Sequence, residues 1–326
     1  MSAANYRLNP RTCMPQWSRC ESIGKDSKHE SIKKLTNPTS LRRMPRLIAA
    51  AFVSVLVMSH LSAAIANTQA NRLRIEYFNP GNPAYKPVYE MLKERRTLEK
   101  LQEIFSPLRL PGDLTLRTGD CEGVANAWYD HDSAAISICY EYVVEIMRMT
   151  HKEAMPDGIT STDAAMGQFF YVVAHEMGHA VFDLLEVPSF GNAEDVADQF
   201  STYIMLQFGK EQARRLIGGA AYSYHRYVQN AQVTAPLVAF SDVHGAPAQR
   251  FYNMLCLAYG ADAVLFADVV EKGYLPTGRA SNCKREYDQV AFAFRELIAP
   301  HVDQELAAHV MDKTWLPDVK AHSSMK

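Results

Sequence analysis

The stretch Val172-Val173-Ala174-His175-Glu176-Met177-Gly178-His179-Ala180 sets the reading of this chain. Residues i and i+4 of a helix lie on one face about a turn apart, so His175 and His179 can direct two imidazoles at one metal ion. Glu176 projects beside them, within reach of the proton of an attacking water. The apolar residues on both sides predict a buried helix over Asp163 to Leu185, with Thr162 or Asp163 available as N-cap and Pro188 beyond its end. A catalytic metal site needs a third protein ligand and one coordination position left open.

The following segment, Asn192-Ala193-Glu194-Asp195-Val196-Ala197-Asp198, offers that ligand. Asn192 can cap a helix running to about Phe208 and closed by Gly209. Glu194 and Asp198 are i and i+4, so a metal-facing Glu194 leaves Asp198 one turn on, able to accept a hydrogen bond from a ligand imidazole and fix its tautomer. Asp195 lies about 100° round the helix and reads as an acid favourable at a helix N-terminus.

Working outward, the region before this motif is strand-like and the region after it helical, which gives an α+β architecture. Leu73 to Phe78 alternates as a strand, and Tyr85 to Phe105 reads as one charged amphipathic helix. Leu114 to Arg117 is a further short strand. Ala125 to Tyr129 and Ala135 to Tyr140 form a hairpin about the polar turn Asp130-His131-Asp132-Ser133. A helix from Tyr140 to Ala154 and a Pro156-Asp157-Gly158 turn follow. Later helices are expected at Glu211 to Gln229, Pro247 to Tyr259 and Glu286 to Leu297, with a loosely packed tail from Lys313.

Composition bounds the remaining choices. The chain is 48% hydrophobic and 21% charged, as a globular domain requires. Its net charge is −2, but residues 1–43 carry nine Lys and Arg against three Asp and Glu, and Arg46 adds one more positive charge; residues 67–326 therefore carry about −9. A domain this acidic lacks the basic face that nucleic-acid binding needs. Arg42, Arg43 and Arg46, the apolar run Leu47 to Met58 and Ala64-Ile65-Ala66 together read as a secretory signal peptide, residues 44–66, cleaved before Asn67. Met44 then reads as the start, and residues 1–43 as a disordered or non-native extension. The alternative, an uncleaved anchor over Leu47 to Ala66, is opposed by Ser54, Ser59, His60 and Ser62 within that stretch. The expectation is a periplasmic or secreted protein with no stable membrane anchor, whose oligomeric state the sequence leaves open. Of the six cysteines, Cys121, Cys139, Cys256 and Cys283 remain after cleavage. Four cysteines allow three connectivities; pairing Cys121 with Cys139 and Cys256 with Cys283 brackets one local unit each.

The two carboxylate helices carry a family resemblance. His175-Glu176-x-x-His179 followed by Glu194-x-x-Ala197-Asp198 resembles the gluzincin metallopeptidases, and two more segments are similar to the neprilysin family in particular. Asn126-Ala127-Trp128-Tyr129 resembles an edge-strand motif whose Asn and Ala bind the substrate main chain. Asp242-Val243-His244, with Arg250 six residues on, resembles a segment whose His stabilises the oxyanion and whose Arg grips a substrate carbonyl. The resemblance implies a zincin-like fold for residues 67–326: an N-terminal lobe with a small mixed sheet and the HExxH helix, meeting a mostly helical lobe near residues 180–190. It also implies one Zn2+ held by His175, His179 and Glu194, Glu176 as general base, Asp198 and Asp242 as supports of His175 or His179 and of His244, and a peptide or protein substrate bound by Asn126, Ala127 and Arg250. The interval from His179 to Glu194 is far shorter than in neprilysins and leaves no room for their large helical cap. The chain is thus similar to a reduced form, and to an uncharacterised bacterial family of candidate metallopeptidases with paired cysteines.

From the residues alone, His244 held by Asp242 can serve as the oxyanion donor. His225, in the aromatic helix face Tyr222 to Tyr227, is its rival, and the alternative reading of Arg250 is a structural salt-bridge partner in its helix. The reading from another class is a non-catalytic, zinc-stabilised exported protein that binds peptides. Glu176 argues against it, because a purely structural zinc has no use for that carboxylate.

Overall fold

In a computed structural model, residues 72–152, 158–225, 228 and 240–318 are described, all within the unit Asn67–Lys326. The expected extension 1–43 and signal peptide 44–66 lie outside the described residues, as do Pro156 and Asp157 of the expected turn. All four strands lie before residue 140, and most of the helices follow them. β1 (Leu73–Tyr77), β2 (Leu114–Gly119), β3 (Ala127–Asp130) and β4 (Ala135–Cys139) form one four-stranded sheet in the order β1-β2-β4-β3. β2 runs parallel to both β1 and β4, and β3 folds back antiparallel on β4. This mixed α+β arrangement leaves β3 on an open edge.

The parallel β1–β2 pair needs a crossover, made by α1 (Lys86–Glu94) and α2 (Thr97–Ile104). The single helix expected over Tyr85 to Phe105 is therefore two. Arg96 adopts a left-handed conformation (φ 52°) between them, and the Tyr77 hydroxyl accepts the Leu98 N–H at 2.8 Å at the start of the second. The bend lets Val88 and Leu92 of one helix and Leu98, Leu101 and Ile104 of the other enter the same core. With neither Gly nor Pro at the break, the apolar period reads straight through it.

The remaining helices are α3 (Tyr140–Lys152), α4 (Ser161–Leu184), α5 (Ala193–Gln207), α6 (Lys210–His225), α7 (Pro247–Ala261), α8 (Ala267–Glu271), α9 (Thr277–Ala280), α10 (Cys283–Leu297) and α11 (Gln304–Met311). None among the described residues is long and apolar enough to cross a membrane. The 24-residue α4 is the centrepiece, with most of its side chains buried. Its N-cap is Thr160 rather than Thr162 or Asp163. Thr160 accepts the Asp163 N–H and Asp163 accepts the Thr160 N–H, a reciprocal capping box. Asp163 is also paired with Arg215 at 2.7 Å. α4 and α6 meet backbone to backbone, since a Cβ on Gly219 would lie 1.8 Å from Asp163 O and one on Gly167 2.5 Å from Leu216 O.

Disulfides join Cys121 to Cys139 and Cys256 to Cys283. The first ties the loop before β3 to the end of β4, and the second fastens α10 to α7. The tail is not loose as far as it is described. Gln212 binds Lys313 O and the Trp315 N–H at 2.7 and 2.6 Å, Arg215 donates to Pro317 O, and Leu316 is buried. An amide side chain that can serve two backbone groups at once accounts for this anchoring.

Candidate metal centre and active site

The helical repeat of α4 sets His175 and His179 edge to face, with ring centroids 4.8 Å apart. Gly178, between them in sequence, brings α5 close: a Cβ there would meet Ala197 Cα at 3.2 Å. Asn192 caps α5 by accepting the Glu194 N–H, so Glu194 sits in the first turn facing both imidazoles. Its Oε2 lies 3.0 Å from His175 Nε2 and 3.2 Å from His179 Nε2, and the two nitrogens are 3.2 Å apart. His175, His179 and Glu194 are a group whose ligand atoms all fall within 4.8 Å of one another. The other such group among the described residues, Cys121, Cys139 and Glu141, has its sulfurs in a disulfide.

The partner of the second His175 nitrogen shows what the cluster is suited to hold. Asp198 Oδ1 lies 2.8 Å from Nδ1. Asp198 is mostly buried, which alone would raise its pKa, but its bonds to His175 and to Arg250 outweigh burial and hold it at about 2. As an ionised acceptor, Asp198 requires the proton on His175 Nδ1, which leaves the Nε2 lone pair aimed at Glu194 and at His179. Lone pairs gathered so closely repel unless a proton or a cation stands among them. The His175 pKa shows the proton's claim: burial lowers it, yet the hydrogen bonds to Asp198 and Glu194 carry it to about 9. Glu194 is held at about 2, chiefly by its bond to His175, while burial and the His175 charge lower His179. Two nitrogens and an ionised carboxylate converging in this way fit a divalent metal ion, which would displace the proton on binding.

Glu176 points to the cleft beside this cluster. Burial is the main cause that pushes its carboxyl up to about 7, with the His175 charge and a backbone hydrogen bond opposing. That bond comes from β3, where the Tyr129 N–H donates to Glu176 Oε2 at 2.8 Å. The Cys139 N–H donates to Asn126 O at 3.1 Å, so by the antiparallel alternation Ala127 and Tyr129 turn their main-chain groups to the open edge. Asn126 and Ala127 line a cavity of about 480 Å3 together with His175, Glu176, His179 and Glu194.

His244 and Arg250 line the same cavity. His244 Nδ1 is 3.1 Å from Asp242 Oδ1, and its Nε2 is 3.0 Å from Glu194 Oε2. Asn192 Nδ2 donates to Val243 O at 2.5 Å, tying this loop to the start of α5. Arg250 is largely committed elsewhere. Its Nε and Nη2 form a two-point ion pair with Asp198 at 2.7 and 2.6 Å, so it braces the carboxylate behind His175. His225 is not brought to this cavity. It ends α6 against Phe251 and Tyr274, with ring centroids 6.0 and 5.1 Å away. Sequence reasoning passed over Tyr129, His131 and Asp183, which also line the cavity. Asp183 could have been found, because it follows His179 by four residues on the same helical face.

Residues 77–298 match the model of the DUF4344 family, whose description is "Putative metallopeptidase". The chain belongs to that family, whose description implies a metal ion and a peptide or protein substrate. No curated protein and no solved structure matches the chain.

Proposed function

We propose that residues 67–326 form a zincin-like, exported zinc peptidase of the gluzincin type, a reduced relative of the neprilysins that hydrolyses peptide bonds with water. The carrying observation is the convergence of His175, His179 and Glu194 within 4.8 Å, with the raised carboxyl of Glu176 next to them. Zn2+, held by those three side chains, would supply the Lewis acidity that activates water and polarises the scissile carbonyl. Glu176 takes the water proton and passes it to the leaving amine; a carboxylate with a pKa near 7 can do both. A substrate strand docks along β3 through the outward groups of Ala127 and the side chain of Asn126. His244, oriented by Asp242, donates to the oxygen on which charge develops. Arg250 serves chiefly by holding Asp198, and through it the His175 ring. The signal peptide and the two disulfides support a periplasmic or secreted location, since such bonds persist in oxidising compartments.

The test is to express the full chain with export, measure its metal content and assay it on a mixed peptide library beside Glu176→Gln. One zinc per chain, with cleavage that the Gln variant loses, supports the reading. Absence of stoichiometric zinc, or cleavage unaffected by Glu176→Gln, overturns it. Zinc retained without any cleavage would favour the peptide-binding alternative.

A further inference from the structure

Tyr129 reaches α4 at two points. Its N–H donates to Glu176 Oε2 at 2.8 Å, and its phenol donates to Asp183 Oδ2 at 2.6 Å. Glu176 and Asp183 are seven residues apart, two turns of one helix, and so share a face. The strand therefore lies along the helix. His131, the first residue after β3, sets its Nδ1 2.7 Å from the same Asp183 oxygen. These bonds are separate from the β3–β4 ladder. Burial and the bond to Asp183 hold the Tyr129 phenol well above its ordinary pKa, so it remains a donor throughout the neutral range. Asp183 lies outside the metal-binding group and needs another account.

We propose that Asp183 is a positioning residue: by accepting the Tyr129 phenol and the His131 imidazole it clamps β3 to α4, and so fixes the docking edge of the strand relative to Glu176. The inference rests on the peptidase reading in taking β3 as the docking edge and Glu176 as the base. β3 is four residues long, with a single neighbouring strand. Its ladder to β4 governs its place in the sheet but not its distance from the helix. Glu176 itself depends on the strand, because the Tyr129 N–H is its hydrogen-bond donor. Releasing the clamp should therefore loosen the substrate and misalign the base together, while His175, His179 and Glu194 keep their positions.

Tyr129→Phe removes only the phenol oxygen, and Asp183→Ala removes the acceptor. Each variant, and the two combined, should be compared with the wild-type chain. The expected result is a fall in kcat/KM of about tenfold to a hundredfold, the order expected for a misplacement near 1 Å. It should be shared between a higher KM and a lower kcat, with wild-type metal content and only a modest fall in melting temperature. The double variant should be no worse than Asp183→Ala alone, since both changes delete the same bond. Amide hydrogen exchange supplies a readout independent of turnover: the peptide spanning Ala127–Asp130 should exchange faster in both single variants, while β2 does not change. Were the wild-type chain to cleave nothing, the peptidase reading would fall while exchange still judged the clamp. Unchanged exchange across β3 in both variants, or effects of the two substitutions that multiply independently, would overturn the inference.

Discussion

Asp198 Oδ1 stands 2.8 Å from Nδ1 of His175, at the ring nitrogen opposite the one that faces Glu194. One carboxylate thus fixes both the tautomer and the direction of an imidazole whose other nitrogen is aimed at the candidate metal-binding group. Arg250 completes the chain of support with two bonds to the same carboxylate.

Removing a ligand and removing its support should differ in degree. Glu194→Ala is expected to abolish stoichiometric metal binding. Asp198→Ala should weaken it by about 10–100-fold, as loss of a partner behind a ligand does. Competition with a chelator of known affinity measures both. Retention of metal by Glu194→Ala together with its loss in Asp198→Ala would show the ligands to be misassigned.

Arg250→Ala should act as a stability mutation as well as a functional one. It leaves the Asp198 carboxylate, 13% exposed in its side chain, without its guanidinium partner. Breaking a buried pair on one side costs about 3–5 kcal/mol, which chemical denaturation at neutral pH would register. Metal affinity should fall too, because Asp198 then holds His175 less firmly. An unchanged denaturation midpoint and metal affinity, with only KM raised, would return Arg250 to a direct role on the substrate.

The pH dependence follows from Glu176. Burial lifts its carboxyl from the ordinary 4.5 to about 7, and in the role of general base proposed for it Glu176 works only when ionised. Activity should therefore be lost as pH falls through a limb at or somewhat below 7, since a bound cation adds positive charge nearby and moves the limb down. The sign for stability is the reverse. A group whose folded pKa exceeds its unfolded one favours the folded state at low pH and loses that contribution as pH rises through about 7. Metal-free Glu176→Gln should accordingly melt higher than metal-free wild type at pH 8. A lower melting temperature for the variant would mean that burial is not what raises this carboxyl.

Much of this site was open to reading because it is local. The HExxH spacing, the Asn192 cap and the Glu194–Asp198 interval each lie within one helix, where periodicity converts sequence into geometry. What escaped depends on contacts far apart in sequence. Arg250 pairs with Asp198 across 52 residues, and the Tyr129 N–H meets Glu176 across 47; no periodic pattern records either. The break at Arg96 escaped for another reason. A left-handed residue without Gly, Asn or Asp to mark it is imposed by packing and the Tyr77 hydroxyl, not by local preference.

His244 and His225 offered two answers to the same question, and their surroundings now separate them. An oxyanion donor must stand beside the metal-binding group, carry an N–H toward the cleft and be held there before charge develops. His244 lines that cavity, keeps its Nδ1 and its main-chain N–H on Asp242, and places Nε2 3.0 Å from Glu194. The bond from Asn192 to Val243 further restrains the loop that carries it. His225 instead lies among aromatic rings on a different cavity, where burial lowers its pKa. His244→Ala should therefore lower kcat by about 10²–10³-fold with little change in KM, since its bond strengthens only as the transition state forms. His225→Ala should leave kcat near normal. Steady-state kinetics on one peptide, with metal content measured on the same samples, decides between them. If His225→Ala abolishes turnover at full metal occupancy while His244→Ala does not, the oxyanion role has been given to the wrong histidine. Loss of metal in His244→Ala would point instead to a fourth ligand, because Nε2 already faces the Glu194 oxygen.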